Sequence, residues 1–232
     1  ADEFAFDTET DSLDSMRAGL VGISLCVEPG QACYIPLAHV APGVAAQLPR
    51  EAVLDALRPL LADPSKKKLG QHGKYDLHVL RRHGIDVQGY ADDTMLESFV
   101  LNAGIARHDM DSLALRHLGY QTVKYEDVAG KGAKQIGFAQ VALDDATRYA
   151  AEDADITLRL TTGDAELLGQ AERTHPVHQA EVDRLGRTAL VAADVFQRFA
   201  EYFRRGGAVD VGAALERAHQ RWVAGEVGHD PQ

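Results

Sequence analysis

The sequence contains little cysteine, with Cys26 and Cys33 as the only two among 232 residues. Disulfide frameworks need more cysteines and an oxidising compartment, so we expect two small buried thiols and no disulfide. The sequence also lacks a signal peptide and any apolar run of about 18 residues, the length that marks a membrane-spanning helix. These absences favour a cytoplasmic protein with no membrane partner over a secreted or membrane protein.

An excess of basic residues is also missing. Lysine and arginine number 24 against 35 aspartates and glutamates, which gives a formal net charge of −11. A protein that binds a long nucleic-acid duplex tightly is expected to be basic, because it neutralises many phosphates. The charge therefore argues against such a protein, and no internal repeat or low-complexity segment is evident.

Two carboxylates stand at the end of the first apolar run. Asp7 and Glu9 follow the apolar residues 4–6, where a short strand is expected to end. In an extended chain, residues two apart project from the same face. Two carboxylates on one face repel each other unless a cation lies between them, so both are candidate ligands for Mg²⁺ or Mn²⁺. Taken alone, a solvated strand end is the simpler interpretation.

Three further side chains extend this candidate site. Asp76 precedes a helical pattern, so it is a candidate metal ligand or a helix cap. Tyr149 and Asp153 lie four residues apart in a long helical stretch and therefore share one helix face. A buried tyrosine beside an exposed aspartate is the alternative for that pair. Glu152 and Asp155 point elsewhere around the same helix and are poorer candidates.

The order of these motifs is Asp-x-Glu, Tyr-Asp and Tyr-x-x-x-Asp, which is the signature of the DEDD superfamily of 3′→5′ exonucleases with Tyr in the last motif. The sequence resembles the proofreading 3′→5′ exonuclease domain of bacterial DNA polymerase I over roughly residues 1–162, with motif order and spacing preserved. The segments that carry the resemblance are FAFDTETDSL at 4–13, GLVGISL at 19–25, YIPLAH at 34–39, DTMLESFVLN at 93–102, RHDMDSLA at 107–114, EDVAGKGAKQ at 126–135 and RYAAEDADITLRL at 148–160. A bacterial, cytoplasmic protein is expected.

The resemblance implies an α/β fold of the ribonuclease-H-like 3′→5′ exonuclease type, with a mixed sheet flanked by helices and a helical C-terminal segment. The sequence pattern agrees, since residues 3–8, 19–27 and 31–36 predict an antiparallel meander of three strands and 67–71 a short fourth strand. Apolar periodicity predicts helices at 50–62, 74–83, 111–118 and 141–160.

Two local predictions complete the pattern. Thr94 and Glu97 have the spacing of a capping box at the start of a helix that carries Leu96 and Phe99. Residues 119–139 are predicted to be a loop that contains glycine and lysine and is long enough to be functional.

We expect two regions, the exonuclease domain at 1–162 and a helical extension of unknown role at 163–232. Apolar residues at helical spacing form two stripes in the extension, at 182–203 and 211–222. The stripes predict a helical pair packed on the nuclease domain; a partner-binding element and the end of a truncated or frame-shifted polymerase gene are the alternatives. No polymerase active-site motif occurs, so no polymerase activity is expected from this chain, although a polymerase module is a candidate partner.

The resemblance also implies a chemistry. Two divalent metal ions are expected, Mg²⁺ or Mn²⁺, with Zn²⁺ as an option at one position. Asp7, Glu9 and Asp153 would hold one ion, and Asp7 with Asp76 through water would hold the other, for an in-line displacement that releases nucleoside 5′-monophosphates. Tyr149 would orient the attacking water, because a phenol with a pKa near 10 is a poor base at neutral pH. The expected substrate is a single-stranded DNA 3′ end or a frayed primer terminus.

Substrate contacts are expected around these motifs. Leu13 matches a family position that wedges against the terminal bases, and Tyr125 one where an aromatic ring stacks near the strand end. His72 departs from the family, which usually has Asn there, and its charge changes near neutral pH. The predicted set is Thr8, Leu13, Gln71, His72, Arg107, Tyr125 and Lys131, with His108 and Lys134 as further local cations.

Three alternatives stay open on the sequence. A DEDD exoribonuclease that trims RNA 3′ ends shares the motifs. A non-catalytic scaffold is the second, although the presence of all four carboxylates and the tyrosine argues against it. A DNA-binding module whose extension recruits a partner is the third. An acidic chain with a few local cations fits an enzyme that grips a few nucleotides at a strand end.

Overall fold

The computed structural model describes residues 2–104 and 107–167, and these form a five-stranded mixed sheet with helices on both faces. The strand order is β3-β2-β1-β4-β5, with the first three antiparallel and β4 and β5 parallel to β1. The strands are β1 Glu3–Thr10, β2 Leu20–Glu28, β3 Gln31–Pro36, β4 Lys67–Gly70 and β5 Tyr90–Asp93. The predicted meander and fourth strand are confirmed. Strand β5 was not predicted, because its sequence YADD carries little apolar pattern.

The predicted helices are also confirmed. The helices of the described residues are α1 Arg50–Leu61, α2 Lys74–Arg82, α3 Thr94–Asn102, α4 Met110–Leu113, α5 Tyr125–Ala129 and α6 Leu143–Leu167, with a π-helical turn at Ala114–Leu118 and 3₁₀ turns at Gly132–Lys134 and Phe138–Gln140. The prediction of a loop over 119–139 is wrong in part, since this stretch contains α5 and both 3₁₀ turns. These elements are three to five residues long, which is too short for helical periodicity to show.

The predicted capping box at the start of α3 is wrong. Asp93, and not Thr94, is the N-cap, and its carboxylate accepts hydrogen bonds from the backbone of Met95 and Leu96. Asp93 has extended backbone angles, as N-cap residues usually do. The Thr94 hydroxyl instead turns back toward β4 and donates to the side chain of Gln71.

Strand β1 is the centre of the sheet and has a helical layer on each face. Phe4 and Phe6 pack in the core cluster on the side of α1 and α2, whereas Ala5 packs against α6. A strand covered on both faces reads as a continuous apolar run, which explains residues 4–6. The alternation then continues past the core, so the face of Ala5 presents Asp7 and Glu9 toward α6.

Further predictions concern the cysteines, membrane-spanning helices and the C-terminal extension. Cys26 and Cys33 are free and buried, as expected. Within residues 2–104 and 107–167, no helix is both long and apolar enough to cross a membrane. The apolar stripes at 182–203 and 211–222 lie outside the described residues, and the division at residue 162 stays a prediction.

Replacing Gly22 by Ala should destabilise the fold. Gly22 pairs with Glu9 across β1 and β2, and a Cβ at this position would overlap the buried ring of Tyr34. That ring cannot move freely because its hydroxyl is hydrogen-bonded to His39 Nε2 at 2.8 Å. We expect a loss of about 1–3 kcal/mol and a lower Tm in thermal denaturation. Gly137→Ala is the matched control, since the nearest atom to its Cβ would be 3.8 Å away; equal losses for both variants would contradict the close packing.

Candidate active site

Three carboxylates meet between the end of β1 and the middle of α6. Each of Asp7, Glu9 and Asp153 offers an oxygen, and the three oxygens lie within 4.8 Å of one another. Asp7 and Glu9 project from the same face of β1, and α6 crosses that face. The two spacings that the sequence offered, two residues on a strand and four on a helix, therefore converge on one cluster, here called the acidic cluster.

Asp76 approaches the acidic cluster from the opposite layer. It lies in the first turn of α2 and is 3% exposed. Its Oδ1 accepts hydrogen bonds from the backbone N–H of Thr8 at 3.1 Å and from the Thr8 hydroxyl at 2.5 Å. The Thr8 N–H is free to make the first of these bonds because β4 pairs with β1 only at residues 3–5, so the edge of β1 that faces β4 is open beyond residue 5. Asp76 does not act as a helix cap, since the N-cap of α2 is Gly73.

The four carboxylates share a strongly unfavourable electrostatic environment. Burial and the neighbouring Asp153 raise the pKa of Asp7 to about 8. Burial raises the pKa of Glu9, Asp76 and Asp153 well above the usual carboxylate range, with Asp7 adding to it for Glu9 and Asp76 and Glu152 for Asp153. Buried like charges of this kind are stable only when protonated or when a cation neutralises them.

The acidic cluster suits a divalent cation. Glu9 is 8% exposed, and its Oε1 is buried without a hydrogen-bond partner. A buried carboxylate oxygen without a hydrogen-bond donor, in a residue grouped with two other carboxylates, has an unfilled position that a metal ion could occupy. Hard oxygen donors are the ligands that Mg²⁺ and Mn²⁺ prefer. The residues present therefore fit the predicted metal ions.

Tyr149 joins the acidic cluster to an aromatic group. Asp153 lies one turn further along α6, and burial together with that neighbouring carboxylate raises the pKa of Tyr149. Its ring packs against Phe138 with centroids 5.8 Å apart and against Tyr125 at 6.1 Å. Tyr125 is 37% exposed and so presents an aromatic surface beside the acidic cluster.

Glu152 and Asp155, the poorer candidates on the sequence, make hydrogen bonds that attach α6 to other segments. Glu152 accepts hydrogen bonds from the Tyr120 hydroxyl at 2.5 Å and from the Val123 backbone at 2.9 Å. Asp155 accepts one from the Gly30 backbone at 2.5 Å and pairs with Arg159 at 2.7 Å. These two carboxylates, one and two residues away from Asp153, thus attach the helix to other parts of the domain.

The turn before α2, formed by residues 71–73 and here called the 71–73 turn, has an unusual backbone. His72 has a φ of +59°, and it is exposed. Asn, Asp and His are the non-glycine residues that adopt this left-handed conformation most readily. A histidine at position 72 is compatible with this requirement. The Gln71 side chain is engaged internally, donating to the His108 carbonyl at 3.0 Å.

The remaining predicted contacts lie on the surface. Leu13 is 99% exposed in the connection after β1. Arg107 pairs with Asp109 at 2.9 Å and Lys131 with Glu126 at 2.7 Å, and both cations are largely exposed. Lys134 is exposed as well, whereas His108 is buried and bonded to Ser98 at 2.8 Å. The roles of all these residues toward a substrate stay predictions.

One residue that the sequence analysis did not single out has a prominent place near the site. Asp93 contacts the 71–73 turn as well as the start of α3. The available signal was the dipeptide Asp93-Thr94 before a helix, in which either residue could cap.

A cluster of carboxylates that suits divalent cations is the kind of site that nucleases, phosphatases and polymerases use for two-metal chemistry. The family model described as 3′-5′ exonuclease matches residues 1–163. The chain belongs to this 3′-5′ exonuclease family, which confirms the resemblance. DNA polymerase I of Pseudomonas aeruginosa is 57% identical over 162 residues, covering 69% of this chain and 18% of the relative. The match covers less than a fifth of the length of the DNA polymerase I of Pseudomonas aeruginosa or of Rhizobium leguminosarum.

Solved structures share the fold. The apo form of a nuclease matches with a TM-score of 0.52 at 18% identity, covering 99% of this chain and 89% of that chain. Brucella melitensis NrnC with bound Mg²⁺ matches with a TM-score of 0.50 at 22% identity, covering 82% of this chain and 84% of that chain. The predicted ribonuclease-H-like fold is confirmed.

Proposed function

We propose that this chain removes nucleoside 5′-monophosphates from DNA 3′ ends by metal-dependent phosphodiester hydrolysis. The observation that carries the proposal is the acidic cluster of Asp7, Glu9 and Asp153, with Asp76 hydrogen-bonded to Thr8 beside it. Family membership supports the 3′-to-5′ direction. The relatives named DNA polymerase I support DNA as the substrate and a polymerase module as a partner.

The metal ions would be held by the four carboxylates. Asp7, Glu9 and Asp153 would hold one ion, and Asp7, with Asp76 acting through water, would hold a second. Bound divalent ions would supply an activated water and stabilise charge on the leaving 3′ oxygen. Mg²⁺ or Mn²⁺ suits the all-oxygen donor set, and NrnC has been solved with Mg²⁺. Zn²⁺ at one position is compatible with carboxylate ligands too.

Tyr149 would orient the attacking water and would not deprotonate it. Burial and the adjacent Asp153 raise its pKa, so the phenol stays protonated at neutral pH. A protonated phenol whose ring packs against Phe138 can hold a water molecule or a phosphate oxygen by a hydrogen bond.

The terminal bases would be held by side chains that are free to stack. Tyr125 lies beside Tyr149 and is partly exposed, and such stacking is worth roughly 1–3 kcal/mol per base. Leu13 would act as the wedge. Thr8 in the first motif, and Gln71 and His72 beside the second, are the further candidate contacts, with the Gln71 side chain bonded to His108 and Thr94 in the fold. Arg107 and Lys131 would supply local positive charge.

The preferred substrate should be an unpaired 3′ end. Stacking on Tyr125 requires the terminal nucleotides to leave the duplex, and unpairing costs a few kcal/mol that a mismatch reduces. We therefore expect the initial rate to be highest on a single strand, lower on a mismatched end and lowest on a blunt end, with little dependence on base identity. The measurement uses one labelled 3′ sequence in the three contexts, with Mg²⁺, and an RNA strand of the same sequence as the control for sugar preference.

Two results would contradict parts of the proposal. Equal or faster cleavage of the blunt duplex would mean that the end is recognised as a duplex. Faster cleavage of RNA than of DNA would replace the DNA exonuclease by an exoribonuclease.

A further inference from the structure

The carboxylate of Asp93 has an unusual number of hydrogen-bond donors. Asp93 ends β5 and is 7% exposed. Its Oδ1 accepts from the backbone N–H groups of His72 at 3.2 Å, Met95 at 3.1 Å and Leu96 at 3.2 Å. Its Oδ2 accepts from the Gly73 N–H at 2.9 Å and from the Tyr90 hydroxyl at 3.0 Å.

Capping of α3 accounts for only part of this arrangement. An N-cap side chain satisfies the free N–H groups of the first helical turn, here those of Met95 and Leu96. The bonds to His72 and Gly73 reach across to the neighbouring strand connection, about 20 residues earlier in the chain. A second cross-connection runs beside them, because the Thr94 hydroxyl donates to the Gln71 side chain.

The segment that Asp93 holds determines where Asp76 lies. Gly73 is the N-cap of α2, and Asp76 is in the first turn of that helix. His72 has a φ of +59°, a conformation that is uncommon outside glycine and persists only when the surroundings enforce it. The two N–H bonds to Asp93 supply that enforcement at the point where α2 begins.

We propose that Asp93 is a positioning residue for the exonuclease reaction. It holds the 71–73 turn in its left-handed conformation. The turn then places Asp76 against Thr8, and it places His72 at the edge of the site. The catalytic consequence of this role rests on the proposed function. The hydrogen bonds between Asp93 and the 71–73 turn are a property of the fold, so they can be measured without an activity assay.

The test replaces Asp93 by Asn. Asn is as good an N-cap as Asp, so α3 stays capped through Oδ1. Its amide group, however, takes the place of Oδ2 and cannot accept a hydrogen bond from the Gly73 N–H. The matched control is Asp92→Asn, which removes the same charge from the neighbouring residue on the opposite face of β5. Asp93→Ser keeps a capping oxygen and provides a second variant if the first folds poorly.

Two readouts separate positioning from a merely structural role. The first is amide hydrogen exchange at Gly73, which should become faster in Asp93→Asn and Asp93→Ser and stay as in wild type in Asp92→Asn. The second is turnover of a single-stranded DNA oligonucleotide across a Mn²⁺ titration, at a temperature where each variant is fully folded. Turnover should fall roughly tenfold and half-activation should need more Mn²⁺, as expected when an outer support of a metal ligand is lost.

The outcomes separate this inference from the proposed function. Wild-type turnover and wild-type Gly73 exchange in Asp93→Asn would overturn the positioning role, and so would faster exchange with unchanged turnover and Mn²⁺ dependence. A wild-type chain without nuclease activity would overturn the proposed function instead. In that case unchanged Gly73 exchange in Asp93→Asn would also overturn the hold on the turn.

Discussion

Replacing Asp153 by Asn should lower turnover of a DNA 3′ end at least about 100-fold, which corresponds to about 2.7 kcal/mol of activation barrier. Asn keeps the size of the side chain but removes the charge that a divalent ion needs. Asp153 is one of three carboxylates whose oxygens lie within 4.8 Å of one another, and among the described residues no fourth carboxylate belongs to that group. Steady-state nucleotide release under saturating Mg²⁺ measures the effect.

The same substitution should not weaken the metal-free fold. Burial and the adjacent carboxylates raise the pKa of Asp153, so the ionised group is disfavoured where it stands. The Tm without metal should therefore stay the same or rise. Asp144→Asn, at the exposed start of the same helix, is the control and should keep wild-type turnover. An Asp153→Asn protein that retained more than about a tenth of wild-type turnover would exclude Asp153 as a ligand.

The second large effect is on the pH dependence of stability without metal. Burial and Asp153 raise the pKa of Asp7 to about 8 in the folded chain, against an ordinary value of 3.8. Between these two values the folded state binds more protons than the unfolded state, so stability rises as pH falls from about 8 toward 4. One pKa unit is about 1.4 kcal/mol, and each kcal/mol moves Tm of a domain of this size by roughly 2–4 °C.

Thermal denaturation between pH 8 and pH 5.5 in a chelator should therefore show a Tm that increases by several degrees on acidification. Two comparisons identify the cause. The increase should shrink in Asp7→Asn, which removes one of the titrating groups. It should also shrink in excess Mg²⁺, because a bound cation stabilises the ionised carboxylates at the high-pH end. A Tm that falls steadily from pH 8 to 5.5 in the chelator would contradict the electrostatic description of the acidic cluster.

Much of the site could be predicted because its elements obey short-range rules. Asp7 and Glu9 are two apart on a strand, and Tyr149 and Asp153 are four apart on a helix, so each pair has a fixed direction. Strand β1 is covered on both faces, which makes its apolar run conspicuous in the sequence. The resemblance then supplied what the periodicities could not, namely that the two pairs face each other.

Other features could not be predicted because they depend on contacts between distant segments. Asp93 acquires its role only when the end of β5 lies beside the 71–73 turn, an apposition set by the parallel pairing of β4 and β5. Gln71 has a side-chain amide of the kind that contacts a substrate, yet this amide is bonded to His108 and Thr94 in the fold. The helix α5 is five residues long, below the length at which periodicity gives a signal.

The central claim is that this chain is a metal-dependent 3′→5′ exonuclease, and one assay tests it most directly. A single-stranded DNA oligonucleotide labelled at its 5′ end is incubated with the full chain, with Mg²⁺ or with a chelator, and the products are resolved at single-nucleotide length. We expect a ladder that shortens one nucleotide at a time from the 3′ end in Mg²⁺, and no shortening in the chelator. Release of the labelled 5′ nucleotide first, internal cuts, or equal degradation in the chelator would contradict the claim.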